Sequence, residues 1–111
     1  MATISNLIID QGTTFSTIIT LTNQTGTALN LAGYTIASQF RKSYASSTAV
    51  SFTATIYEAS LGQIRLQLTP EQTSNINSGR YLYDVEITSS SSEKKRALEG
   101  LVIITPEITK V

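Results

Sequence analysis

Asp84 and Glu86 are the residues best suited by type and spacing to do chemistry. They stand two apart in Gly79-Arg80-Tyr81-Leu82-Tyr83-Asp84-Val85-Glu86-Ile87. On a strand that spacing puts both side chains on one face, about 7 Å apart. Paired carboxylates at comparable separations hydrolyse glycosides, but that work needs a cleft and one carboxyl kept protonated. Alternating charges on the wet face of a strand need neither, and carboxylates are mostly exposed. The pair reads as a solvated face, and no catalytic residue is assigned.

The remaining chemistry is excluded by composition. None of the 111 residues is His or Cys, which removes the commonest general base, the thiolate nucleophile, the disulfide and the zinc–sulfur site. The 6 glycines are scattered and form no phosphate loop. The 8 carboxylates are dispersed, whereas calcium needs them clustered. No metal, cofactor or small-molecule substrate is expected. The net charge is zero, and Glu93-Lys94-Lys95-Arg96 reads as a wet hairpin tip rather than a nucleic-acid anchor. No run of about 20 apolar residues is present to cross a membrane. The N-terminus lacks the basic and apolar regions of a signal peptide. Asn23-Gln24-Thr25 fits the glycosylation pattern, which requires a secretory route.

The tyrosines divide by phase. Tyr81 and Tyr83 alternate with Val85 and Ile87, so their rings belong to the core or its edge and each hydroxyl needs a partner. Leu82, Asp84 and Glu86 take the other face. Asp84 is expected to tie Arg80 or a nearby loop by a charge-assisted hydrogen bond. Tyr44 and Tyr57 are the exposed aromatics on which a sugar-binding alternative would rest.

Spacing-two periodicity runs almost throughout and predicts about seven strands: Thr3–Ile9, Thr13–Thr22, Tyr34–Lys42, Ala49–Tyr57, Gln63–Thr69, Gly79–Ile87 and Arg96–Thr105. Ile64, Leu66 and Leu68 face inward, as do Val50, Phe52, Ala54 and Ile56. One short helix precedes the sixth strand. Thr69 caps it, Pro70 takes its first position, Gln72 completes a capping box and Ile76 anchors it. The expected fold is all-β: one domain over residues 1–111, an Ig-like antiparallel sandwich, with a small closed barrel as alternative. The cysteines and tryptophan of antibody domains are absent, so the Ig likeness is architectural.

One feature points outward. A last hairpin turning at Ser92-Glu93 would set Val85 opposite Gly100, Tyr83 opposite Val102 and Tyr81 opposite Ile104. Leu82, Leu101 and Ile103 would then form an apolar strip on the wet face, which a monomer rarely leaves bare. Either a partner chain covers this strip, or Gly100 forms a bulge that returns Leu101 and Ile103 to the core, or a loop covers it.

Several motifs resemble a family. They are Gly62-Gln63-Ile64-Arg65-Leu66-Gln67-Leu68, Thr69-Pro70-Glu71-Gln72-Thr73, Gly79-Arg80-Tyr81-Leu82-Tyr83-Asp84, and the stretch from Leu98 through Gly100 to Pro106-Glu107-Ile108-Thr109. With "IDQGTTF" and "LNLAGYTIASQFRKS" earlier in the chain, they resemble a small β-domain of bacteriophage structural proteins, including upper baseplate and tail-associated components. The likeness spans nearly the whole chain. It implies structural roles for Gly33, Gly62, Thr73, Gly79, Tyr81, Asp84 and Gly100, with Tyr83 beside them in the same core strand, and supplies no catalytic residue. It implies a non-enzymatic virion subunit, assembled in the host cytoplasm, whose partners are other virion proteins and copies of itself. The first strand and the tail after Pro106 are the expected docking segments. A capsid decoration protein and a host-surface carbohydrate-binding module are the alternatives.

Overall fold

The computed structural model describes residues 3–23 and 26–109. Period-two burial builds each element. In β7 (Gln63–Leu68), Ile64, Leu66 and Leu68 are buried while Gln63, Arg65 and Gln67 are only partly so. A strand is the conformation that puts all three apolar side chains on one face. The same alternation gives β3 (Phe15–Thr20), β4 (Thr35–Arg41) and β8 (Gly79–Thr88).

Two sheets form an all-β sandwich. In the larger, β1 (Thr3–Ile4) and β2 (Leu7–Asp10) run parallel to β9 (Lys94–Thr105), which is followed in antiparallel order by β8, β4 and β5 (Val50–Ser51). The smaller sheet has the order β3-β7-β6, with β6 spanning Thr53–Glu58. Apart from the N-terminal strand, this matches the Ig strand order. The inner faces meet in one core that includes Ile9, Phe40, Ile64, Leu66, Val85, Leu98 and Val102.

Two expected strands are each broken in two. The first is interrupted at Ser5-Asn6. The fourth changes sheets at Phe52: β5 pairs with β4, β6 with β7, and the Phe52 amide donates to Ser38 O at 3.0 Å. The Phe52 ring lies 5.0 Å from Phe40 and 6.0 Å from Phe15, centroid to centroid, so one buried aromatic joins the sheets at the crossing. Each broken strand counted once, the segments among the described residues number the seven expected (nine less two).

The short helix forms as the sequence predicts. In α1 (Pro70–Ser74) the Gln72 amide donates to Thr69 Oγ1 at 3.2 Å, and the Thr69 amide donates to Gln72 Oε1 at 2.8 Å. Ile76 is buried just beyond it. Thr73 is fully buried, and its hydroxyl donates to Thr13 O at 2.8 Å, pinning the helix to the start of β3. Gly33 and Gly79 both have positive φ (+81° and +139°), which a side chain would strain. Gly26 N–H donates to Asn23 O in the expected turn; its central residues Gln24 and Thr25, and with them the glycosylation pattern, lie outside the described residues.

The last hairpin differs from expectation by two residues. Val85 faces Leu98, Tyr83 faces Gly100, Tyr81 faces Val102 and Gly79 faces Ile104. The loop closes earlier than Ser92-Glu93, with the Ser89 amide donating to Glu93 O and the Glu93 amide to Ser89 Oγ. Ser92 takes a left-handed φ of 66° inside it. The bulge lies at Val85/Glu86, beside Ala97, and not at Gly100. Gly100 instead meets a close backbone approach: a Cβ there would collide with the Ser5 carbonyl where the chain crosses between β1 and β2.

Candidate functional site

The outer face of the larger sheet carries Leu82, Leu101 and Ile103, together with Asp84 and Glu86. Leu82 and Leu101 are directly opposite each other and half-buried. Ile103 is opposite Arg80 on one side and Ile8 on the other. The bulge at Val85/Glu86 and the approach at Gly100 leave Leu101 and Ile103 facing outward, while Leu98, Val102 and Ile104 go to the core. The N-terminal strand lengthens the strip. Ile4 is 71% exposed, Ile8 67% and Ile103 36%. Sequence reasoning named the first strand as a docking segment but not Ile4 or Ile8 within it, because Leu7-Ile8-Ile9 is apolar on both faces and its phase alone does not say which side is wet. A second signal was available: an apolar residue at the polar position of a strand that otherwise alternates.

A groove of about 530 Å³ lies beside the strip. Leu82, Leu101 and Ile4 are among its apolar lining, and Gln39, Arg41, Asp84, Glu86, Arg96 and Glu99 supply charge and hydrogen-bonding groups. Tyr44, 83% exposed, stands on it from the loop after β4. Tyr57 lies on the other sheet, with the Arg65 guanidinium 4.6 Å above its ring, so the two exposed tyrosines do not share a surface.

Asp84 is not tied to Arg80. Both point outward from β8, but they stand four residues apart. Asp84 instead pairs with Arg96 of the neighbouring strand at 3.3 Å, and Arg96 also reaches Glu99 at 3.3 Å. Glu99 lies directly across from Asp84, an unfavourable like-charge pair that Arg96 bridges. Burial pushes the Asp84 carboxyl up, and Glu86 and Glu99 push it the same way; Arg96 and Arg41 pull it down without cancelling the rise. The arrangement suits binding of polar groups on an apolar floor. Among the described residues no group of three or more acidic side chains is placed to hold a metal ion.

Tyr81 and Tyr83 hold the fold that carries this face. Tyr83 is buried, and its hydroxyl donates to Ser5 O, the carbonyl that crosses Gly100. Burial raises its phenol pKa. Asn6 completes the clamp by accepting the Leu101 amide at 3.0 Å. The Tyr81 hydroxyl donates to Asn77 O at 2.7 Å, four residues upstream, in the manner of the tyrosine corner of Ig sandwiches. The Lys42 ammonium lies 4.7 Å from the centre of its ring.

No protein-family model and no curated protein matches the chain. Among solved structures, an internalin-like protein of Listeria monocytogenes is similar at 15% identity with a TM-score of 0.47. The match covers 96% of this chain and 28% of that one. So distant an overlap carries no argument about activity or partner. No helix among the described residues is long and apolar enough to cross a membrane.

Proposed function

We propose that this chain is a non-enzymatic structural subunit of a bacteriophage particle that binds a neighbouring virion protein through the outer face of its larger sheet. One observation carries the reading: Ile4, Ile8, Ile103, Leu101 and Leu82 form an apolar row from β1 and β2 across β9 to β8, on a face that a solitary domain would keep polar. The phage setting rests on the resemblance of the sequence motifs to bacteriophage structural proteins. Many copies on one particle make a modest interface sufficient, because avidity multiplies it. Gold-labelled antibody on particles from the source lysate, seen by electron microscopy, tests the setting. Label at the tail tip or neck supports a baseplate or connector subunit, and label over the head a decoration protein. No label on intact or opened particles removes the virion reading. Leu101→Lys tests the surface: the variant should fold and fail to enter particles.

A second reading has its own observation. Tyr44 offers a bare ring at a groove that also holds Gln39, Asp84 and Glu99, the combination of stacking surface and hydrogen-bonding groups a sugar needs. A glycan array with signal lost in Tyr44→Ala would move host-surface recognition to first place.

A further inference from the structure

The smaller sheet has β3 and β6 as its outer strands, and among the described residues the chemistry of the β3 edge differs from that of the other sheet edges. Exposed edges are normally blunted by shortness, charge, proline or a bulge. β5 has 2 residues. β6 ends in a register shift between Ile56 and Glu58, with the Glu58 charge beside it. The β1–β2 edge is interrupted at Ser5-Asn6 and ends in Asp10. β3 has none of these devices. Phe15-Ser16-Thr17-Ile18-Ile19-Thr20 carries no charge and no proline, and its pairing with β7 runs unbroken from Phe15–Leu68 to Thr20–Gln63. Because the N-terminal strand is committed to β9, no strand among the described residues pairs with β3 on its other side.

The hydrogen-bond phase of this edge can be read. The Leu21 amide donates to Gly62 O at 2.7 Å, toward β7. Main-chain groups alternate sides along a strand. Phe15, Thr17 and Ile19 therefore bond to β7, and Ser16, Ile18 and Thr20 present their amides and carbonyls to the open edge. The Ile18 side chain is 43% exposed on the outer face.

We infer that β3 pairs antiparallel with β3 of a second copy about a twofold axis through Ile18, joining two three-stranded sheets into one. In this register Ile18 faces Ile18, Ser16 faces Thr20 and Thr17 faces Ile19. Outer-face residues meet outer-face residues, so neither sheet is inverted. Each open amide of one copy finds an open carbonyl of the other, and the two exposed isoleucines cover each other. The match is isologous, as twofold symmetry requires. No charged side chain lies on either strand, and a net charge of zero brings no repulsion between copies. The surface is separate from the proposed virion-binding face, on the opposite sheet. An edge of this length buries far less than the roughly 1,600 Å² of a standard interface, so pairing is weak in dilute solution and strengthened where copies are crowded.

The absence of cysteine makes the register testable. Opposed residues in a bonded antiparallel pair have Cα atoms about 5.5 Å apart, within disulfide range. Under mild oxidation of the purified chain, Ile18→Cys should crosslink to itself. Ser16→Cys and Thr20→Cys should each fail alone and crosslink when mixed. Ile18→Lys should keep its melting temperature and lose the concentration-dependent dimer in sedimentation. Equal crosslinking at all three positions, or a monomer at every concentration into the low-millimolar range, overturns the proposal. So does capture of a different protein by Ile18→Cys while the chain itself stays monomeric. None of these assays involves particles or the larger sheet, so they fail or succeed independently of the virion reading.

Discussion

At the scale of single residues, the most informative position is Gly100. Its missing Cβ leaves room for the Ser5 carbonyl, which in turn accepts the Tyr83 hydroxyl. The obstacle to a side chain there is backbone, which cannot rotate away. Gly100→Ala should cost about 1–3 kcal/mol by overpacking, and Tyr83→Phe about 1 kcal/mol for one buried hydrogen bond. Because both act on Ser5, the double variant should lose less than the sum, measured by urea denaturation; simple additivity would separate the two. Asp84 makes the opposite kind of prediction. Its folded carboxyl binds a proton more tightly than the unfolded one. Between the ordinary value and the raised one the native state carries more protons, so stability falls as pH rises through that window. The contribution is complete below the ordinary carboxylate range and is lost above the raised value. Wild type should therefore gain melting temperature relative to Asp84→Asn as pH is lowered from about 7 to about 4. A difference that does not vary with pH would show that the folded carboxyl titrates as the unfolded one does.

Two local devices act at the scale of the element. The turn of the last hairpin forces Ser92 into the left-handed region, where a non-glycine residue pays roughly 1–2 kcal/mol. Ser92→Gly relieves this strain, less what the looser unfolded chain takes back, and should raise the melting temperature by a few degrees without changing the hairpin register. A fall would mean that the serine side chain holds the loop. At α1, Thr69 caps a helix of 5 residues, too short to persist unaided. Thr69→Ala should cost about 1 kcal/mol and loosen Thr73 from Thr13, seen as faster amide exchange at the start of β3.

The whole molecule has a core face and a presented face on the same strand. Leu98 and Leu101 belong to β9 three residues apart, and they end on opposite sides of the sheet. Leu98→Ala should cost about 2–5 kcal/mol, the usual penalty for a cavity in a packed core. Leu101→Ala should cost well under half of that, because its side chain is half-exposed and no cavity forms. Equal losses in thermal unfolding would put Leu101 in the core and remove the row on which the proposed docking face depends.

Local alternation was enough to determine the all-β class, the inward faces of β3, β4, β7 and β8, and the capped helix. Periodicity of two and capping chemistry are properties of neighbouring residues, so they can be read from one sequence. The outward orientation of Leu82, Leu101 and Ile103 was one of the alternatives the sequence left open, and it holds even though the hairpin register was read two residues away from the true one. A shift of two leaves every side chain on its own face. Which residues oppose each other was not legible, because four serines in a polar loop and one extra residue near Ala97 decide it. The pairing of Asp84 with Arg96, the joining of Ile4 and Ile8 to the apolar row, the crossing at Phe52 and the open edge of β3 were decided by tertiary structure alone. Each depends on which sheet a strand joins, and that is settled by how residues distant in the chain share one core.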